Sequence, residues 1–307
     1  MFYVAIALFF LTACKKNSFE GQPPILQGHR ISGNGLANSL HALQYARALN
    51  YPSVEIDIAL TKDHILVLHH DYWVDRSQCR YRDGRRITDR KLIKNILYRD
   101  LKKTFVCHYK TDAEPATPIL SLEDFLTSRD LKSHVLLNLD IKYSLDHTLT
   151  EKDFAAAIVN VTRKYPYRKF SISASSPQII SQLQGKTDIP LFLDYPHFSS
   201  ANHELLNIAI ALHARFNRTL GMIDYVQIVE GTHADGISLP YQIIDFADMM
   251  RLKNSGVLIQ VWTPNDPKVL AKLCQWPIDI LISDYPEKAP CFRSDINILR
   301  LSRKRSK

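Results

Sequence analysis

Apolar residues in this chain gather in short runs, and polar residues cluster at the C-terminal ends of those runs. Ile25-Leu26-Gln27-Gly28 runs into His29-Arg30, and Val54-Glu55-Ile56-Asp57-Ile58-Ala59-Leu60 carries two acids within it. The next apolar run closes on His69-His70-Asp71. Val135 to Lys142 alternates apolar residues with Asn138, Asp140 and Lys142, while Val257 to Asn265 and Ile280 to Pro286 end in polar or aromatic residues. Lys169 to Ser173, Pro190 to Asp194 and Gly236 to Leu239 read as further strands. Between the runs, helical spacing predicts helices over Ala37–Leu49, Ser121–Ser128, Glu151–Lys164, Pro177–Leu183, Tyr241–Lys253 and Lys268–Cys274. Strand and helix in alternation favour a parallel sheet. Polar residues collected at the carboxyl ends of the strands are what a (β/α)8 TIM barrel requires, because its chemistry is built there.

Length agrees with one such barrel. With 307 residues, 46% of them hydrophobic, the chain can bury a full core. Residues 15–292 are expected to form the barrel. The charged stretch 72–117, with two cysteines, reads as an insertion after the second strand region, over the barrel mouth.

Glu55 and Asp57 are the sharpest chemical signal. Residues i and i+2 of a strand point to one face, so both acids are aimed at the same place from an apolar segment. Buried together they repel and lose hydration, and a divalent cation would compensate them. Oxygen ligands favour Mg²⁺ or Ca²⁺. An outward polar stripe on a half-buried strand has the same period and stays open as an alternative.

The motifs in order, His29-Arg30, Glu55/Asp57, His70-Asp71, Asp140/Lys142, Trp262-Thr263-Pro264-Asn265 and Ser283-Asp284-Tyr285-Pro286, resemble the glycerophosphodiester phosphodiesterase family. Pro118 to Leu126 also resembles that family's segment leading into a helix. The resemblance covers residues 26 to 288. It implies metal ligands at Glu55, Asp57 and Asp140, catalytic histidines at His29 and His70, and substrate contacts from Arg30, Lys142 and Trp262. Trp262 is either an apolar pocket wall or core. His69 points to the opposite face from His70. Three departures stand out: Ile31 where the family has Gly, Ala37 where it has an acid, and Asp140 where it has Glu. Asp140 with Lys142 also resembles the sphingomyelinase D toxins. That makes phospholipase D-like action on lysophospholipid or sphingolipid an alternative, and a catalytically inactive exported binding protein a second.

The N-terminus carries a separate signal. Phe2 to Ala13 is apolar but too short to span a bilayer, and Leu11-Thr12-Ala13-Cys14 resembles a bacterial lipoprotein cleavage box, although the usual basic n-region is missing. Residues 1–14 are therefore expected to be a signal segment. Membrane attachment would run through lipidated Cys14, in the bacterial cell envelope facing periplasm or exterior. In such an oxidising compartment Cys79, Cys107, Cys274 and Cys291 can form disulfides. Three connectivities are open, with Cys79–Cys107 favoured because it brackets the insertion. The net charge of +8 falls on no nucleic-acid motif, so no nucleic-acid partner is expected. Residues 293–307 read as a basic solvated tail, with weak attraction to anionic lipid headgroups as the alternative.

Histidine suits proton transfer near neutral pH, so His29 and His70 are assigned as general acid and base, in either order. The ion would stabilise charge on the phosphoryl oxygens. The expected substrate is a glycerophosphodiester or lysophospholipid, and the expected products are glycerol 3-phosphate and an alcohol.

Overall fold

The computed structural model describes residues 20–33, 36–107, 117–143, 149–195, 212, 223–294 and 301. The N-terminal stretch expected to be a signal segment, with Cys14, lies outside these residues, as does most of the basic tail. No described helix is long and apolar enough to cross a membrane.

Eight strands form the barrel: β1 Ile25–Gly28, β2 Ser53–Leu60, β3 Leu136–Ile141, β4 Lys169–Ala174, β5 Leu191–Asp194, β6 Gly236–Pro240, β7 Leu258–Trp262 and β8 Ile280–Ser283. Each runs parallel to its neighbours, and β1 pairs with both β8 and β2, which closes the ring. The register is continuous across the site: Asp57 lies opposite Asp140, and Asp140 opposite Ser173.

Alternation along the strands sorts residues between the lumen and the surrounding helices. Outward residues such as Ile56, Ile58, Leu137, Leu139 and Ile172 pack against helix residues including Phe154, Ile158 and Ile180. The lumen is layered. Its floor is apolar: Ile25, Leu136, Phe192 and Ile280 cluster with Leu301. Above it sit neutral polar side chains that bond to one another. Gln27 Nε2 donates to Ser53 Oγ at 2.6 Å, Ser171 Oγ to Asn138 Oδ1 at 3.1 Å, and Gln260 Nε2 to Ser238 Oγ at 3.1 Å. The charged residues occupy the mouth.

Helices start where side chains cap them. Glu151–Lys164 is as the spacing predicts, with Thr150 and Asp153 forming a capping box; Pro177–Leu183 is capped by Ser176. Three predicted helices are shorter, among them Ser121–Ser128, which is helical only over Leu122–Leu126 with Ser121 as its cap. The first along the chain spans Leu40–Ala48, because Asn38 takes φ +55° and Ser39 caps the turn after it. Tyr241–Lys253 splits into a 3₁₀ turn, Tyr241–Ile243, and a helix, Phe246–Asn254, capped by Asp245. Tyr225–Thr232, capped by Asp224, was not anticipated.

After β2 the chain turns and returns as Leu66–Leu68, antiparallel to β2, so a hairpin rises above the mouth. The described part of the insertion, 72–107, packs on this hairpin through Ala59, Val67, Val74, Ile87, Ile93, Leu101 and Phe105. It contains two small antiparallel pairs, Trp73–Val74 with Lys91–Leu92 and Cys79–Tyr81 with Phe105–Cys107. Both Cys79–Cys107 and Cys274–Cys291 are disulfides. The reading of 293–307 as a wholly solvated tail is corrected at Leu301, which is only 3% exposed, because an apolar side chain gains by entering the barrel floor.

Candidate active site

The residues assigned to the site lie on barrel strands toward the mouth or just beyond their carboxyl ends, except His70, which follows the return strand Leu66–Leu68. Glu55 and Asp57 on β2 are 2% and 1% exposed, and Asp140 on β3 is partly buried. One carboxylate oxygen from each lies within 4.8 Å of the other two, a spacing that could hold a metal ion.

The polar partners around these acids are specific. The Arg30 backbone N–H donates to Glu55 Oε2 at 2.7 Å. Asn38 clamps Asp57 twice: its Nδ2 donates to Oδ2 at 2.7 Å, and its Oδ1 accepts from the Asp57 backbone at 3.1 Å. Lys142 Nζ donates to Asp140 Oδ2 at 2.5 Å and lies 3.1 Å from Asp57 Oδ1; Arg30 Nε lies 3.4 Å from Asp57 Oδ2. Glu55 Oε1, buried, has no hydrogen-bond partner. Three carboxylates thus face two cations. Burial, followed by repulsion from Asp57 and Asp140, pushes the Glu55 carboxyl well above its ordinary range. Burial acts on Asp57 in the same sense, but Lys142, His70 and Arg30 outweigh it and hold that carboxyl well below. Burial disfavours the Lys142 ammonium, yet Asp140, Asp57 and Glu55 more than compensate and raise its pKa. All-oxygen donors, a surplus negative charge and an orphaned buried carboxylate oxygen fit a hard divalent cation.

Two histidines face this cluster, each oriented by an acid. His29 Nδ1 lies 2.7 Å from Asp284 Oδ1, and His70 Nδ1 lies 2.8 Å from Asp71 Oδ1. A carboxylate on Nδ1 places the proton there and leaves Nε2 as the exchanging nitrogen. Burial lowers the His70 pKa, against the opposing pull of Asp57 and Asp71. Asp284 is held in turn by Asn265 Nδ2 at 2.6 Å, and Asp71 by Gln78 Nε2 at 2.8 Å. His69 is fully buried, with Nε2 3.1 Å from the Trp73 carbonyl, and burial lowers its pKa to about 4. Trp262, half-buried at the end of β7, packs on apolar residues of the lumen and the outer core.

The loop after β1 needs its unusual backbone. A Cβ on Gly28 would lie 2.1 Å from the Ile31 carbonyl oxygen, and one on Gly33 would lie 2.5 Å from Asp284 Cβ. Arg30 and Ile31 both have positive φ, +50° and +79°. A β-branched residue is strained there, yet Ile31 is fully buried in the core, which offsets the strain. Asp284, Asn265 and Asp71 stand in the motifs without an assigned role, and Asn38 directly follows the Ala37 departure. Asp194, at the end of β5, was missed as a site residue; burial and the neighbouring Asp140 raise its pKa. Its one signal in the sequence is an acid ending an apolar run.

The chain is similar to known proteins over most of its length. A protein from Bacillus subtilis (strain 168), provisionally named a glycerophosphodiester phosphodiesterase, is 23% identical over 84% of this chain and 93% of its own. The structure of an Oleispira antarctica phosphodiesterase in complex with the product sn-glycerol-3-phosphate superposes with a TM-score of 0.64 at 21% identity, covering 87% of this chain and 95% of that one. A glycerophosphodiester phosphodiesterase from Thermotoga maritima superposes with a TM-score of 0.58 at 23% identity, covering 87% and 97%. The sequence profile of the glycerophosphoryl diester phosphodiesterase family matches residues 29–288. That match takes in every site residue described above, and the chain belongs to this family of phosphoric diester hydrolases.

Proposed function

We propose that this protein hydrolyses glycerophosphodiesters to glycerol 3-phosphate and an alcohol, with His29 and His70 exchanging protons and a divalent cation, Mg²⁺ or Ca²⁺, on Glu55, Asp57 and Asp140. The observation that carries this reading is the pairing of two acid-oriented histidines with a buried three-carboxylate cluster at one barrel mouth. Bound there, the cation would supply charge neutralisation at the phosphoryl oxygens. The chain's own residues supply the rest. Arg30 and Lys142 hold the phosphodiester anion. One histidine Nε2 takes the proton from the substrate hydroxyl next to the phosphate as its oxygen bonds to phosphorus. The other gives a proton to the departing alkoxide as its P–O bond breaks. Water then opens the cyclic phosphate with the two roles reversed. Intramolecular attack gains from proximity, and Trp262 walls the site on its apolar side. In this reading a lipid on Cys14 holds the enzyme at the cell envelope.

The deciding experiment measures glycerol 3-phosphate release from glycerophosphocholine, with and without chelator. Choline release from lysophosphatidylcholine and sphingomyelin is followed alongside. Chelator-sensitive glycerol 3-phosphate release supports the reading. Dominant choline release would instead favour the phospholipase D-like alternative, and no turnover of any substrate would favour the binding protein.

A further inference from the structure

The chain's positive charge is concentrated in one small part of it. Of 39 Lys and Arg and 31 Asp and Glu, residues 72–107 hold eleven and four, a net +7; the other 271 residues come to +1. The fold gathers much of this excess at one end of the insertion. Cys79–Tyr81 pairs with Phe105–Cys107, a bridge joins Arg80 to Arg86, and Arg82 donates to the carbonyls of Lys102 and Lys103 at 2.9 and 3.3 Å. Arg82, Arg85, Arg86, Lys102 and Lys103 thereby converge, all exposed. The acids among them are few: Asp83 pairs with Arg85 at 2.9 Å, and Asp124 lies 3.5 Å from Lys102.

This cationic end is held firmly. The Cys79–Cys107 disulfide closes the strand pair beside His69, and the apolar cluster beneath ties the insertion to the β2 hairpin. Like charges fixed at short range repel, and a partner of opposite charge relieves that repulsion. We propose that this end of the insertion docks on a bilayer containing anionic phospholipid, beside the mouth that opens on the site. Two observations favour a bilayer over a nucleic acid. The Tyr81 ring is already occupied, stacked against Phe105 with Arg85 over its face, so it offers no platform for bases. The N-terminal apolar run and Cys14 also read as a membrane-directed segment. A surface of this kind attracts lipid headgroups through charge alone, so its binding is screened by salt.

The test uses the full chain, sedimented with vesicles of phosphatidylcholine alone and with added phosphatidylglycerol, at low and high salt. Any acyl anchor or apolar N-terminus acts equally on both vesicle types, so the ratio of the two partition coefficients isolates the charge effect. Wild type should prefer the anionic vesicles, and high salt should abolish the preference. Arg86→Gln should lower it about five-fold, and the combination Arg85→Gln, Arg86→Gln, Lys102→Gln, Lys103→Gln by about that factor for each charge removed. Turnover of soluble glycerophosphocholine should stay at the wild-type rate, which also reports that the variants fold. No preference in wild type overturns the proposal, as does a preference that survives the fourfold change. So does its loss on neutralising Arg303, Lys304, Arg305 and Lys307 instead. Displacement from the vesicles by duplex DNA at equal salt would transfer the surface to a nucleic acid.

Discussion

At their N-terminal ends, strands β1, β3, β5 and β8 contribute Ile25, Leu136, Phe192 and Ile280, packed with Leu301. At their C-terminal ends the same four strands deliver His29, Asp140, Asp194 and Asp284. Between the two lies a layer of amides and hydroxyls bonded largely to one another. The floor gains free energy on folding by excluding water from apolar surface. The mouth holds three carboxylates within 4.8 Å and keeps Ile31 at φ +79°. Such features cost stability and persist because the rest of the fold over-determines them. The contrast teaches that stability and chemistry are separated along each strand, so substitutions at the two ends should move different observables.

The largest effect is expected at Glu55. Glu55→Gln removes one charge from a crowded cluster while keeping the length that meets the Arg30 N–H. We expect kcat/KM to fall about 10³-fold or more, and calorimetric titration with Mg²⁺ or Ca²⁺ to show no binding. Burial raises the Glu55 pKa, so near neutrality its ionised form opposes folding and the metal-free variant should melt higher than wild type. A variant that turns over normally in excess EDTA would remove the carboxylate cluster from the mechanism. Next come the histidines. His29→Ala and His70→Ala should each lower kcat by about 10² to 10⁴-fold with little change in melting. His69→Ala should do the reverse. If His69→Ala proves the more damaging to kcat, His70 is not the proton carrier.

The floor gives the converse. Leu301→Ala should cost about 2 to 5 kcal/mol in urea denaturation and leave kcat near wild type; an unchanged midpoint would mean Leu301 does not seal the barrel. The smallest effect concerns pH. The His69 pKa is lowered from 6.5 to about 4 in the folded chain. Between those values the unfolded chain binds a proton that the folded one does not, so stability falls as pH drops through that window. The loss is on the order of 3 kcal/mol, and His69→Gln should flatten it. A slope that survives in His69→Gln belongs to another group.

The parts of the site legible in the sequence were those set by local period. Glu55 and Asp57 share a face because they are two residues apart, as do Asp140 and Lys142, and the alternation of strand and helix announced the barrel. What stayed hidden depends on closure. Asp284 orients His29 across 255 residues of sequence, and only the β1–β8 pairing brings them together. Asn38 could not be given its two hydrogen bonds with Asp57, because a residue at positive φ in a loop carries no periodic signal. The basic residues of the insertion could be counted but not placed at one end. Leu301 lay in a run whose charge pointed to solvent, and one apolar side chain among basic ones leaves no pattern.

The ring is joined between the first strand and the last. Until Ile280–Ser283 has been made, Ile25–Gly28 has only β2 beside it, and the floor stays open until residue 301 follows. Closure therefore waits on the most distant contacts in sequence, which form slowly because a long loop must be fixed first. A ribosome delivers the two sides of this seam 255 residues apart. Everything from His29 to Asp284 must leave the exit tunnel before the two can meet, so the pair forms late relative to the strands between them.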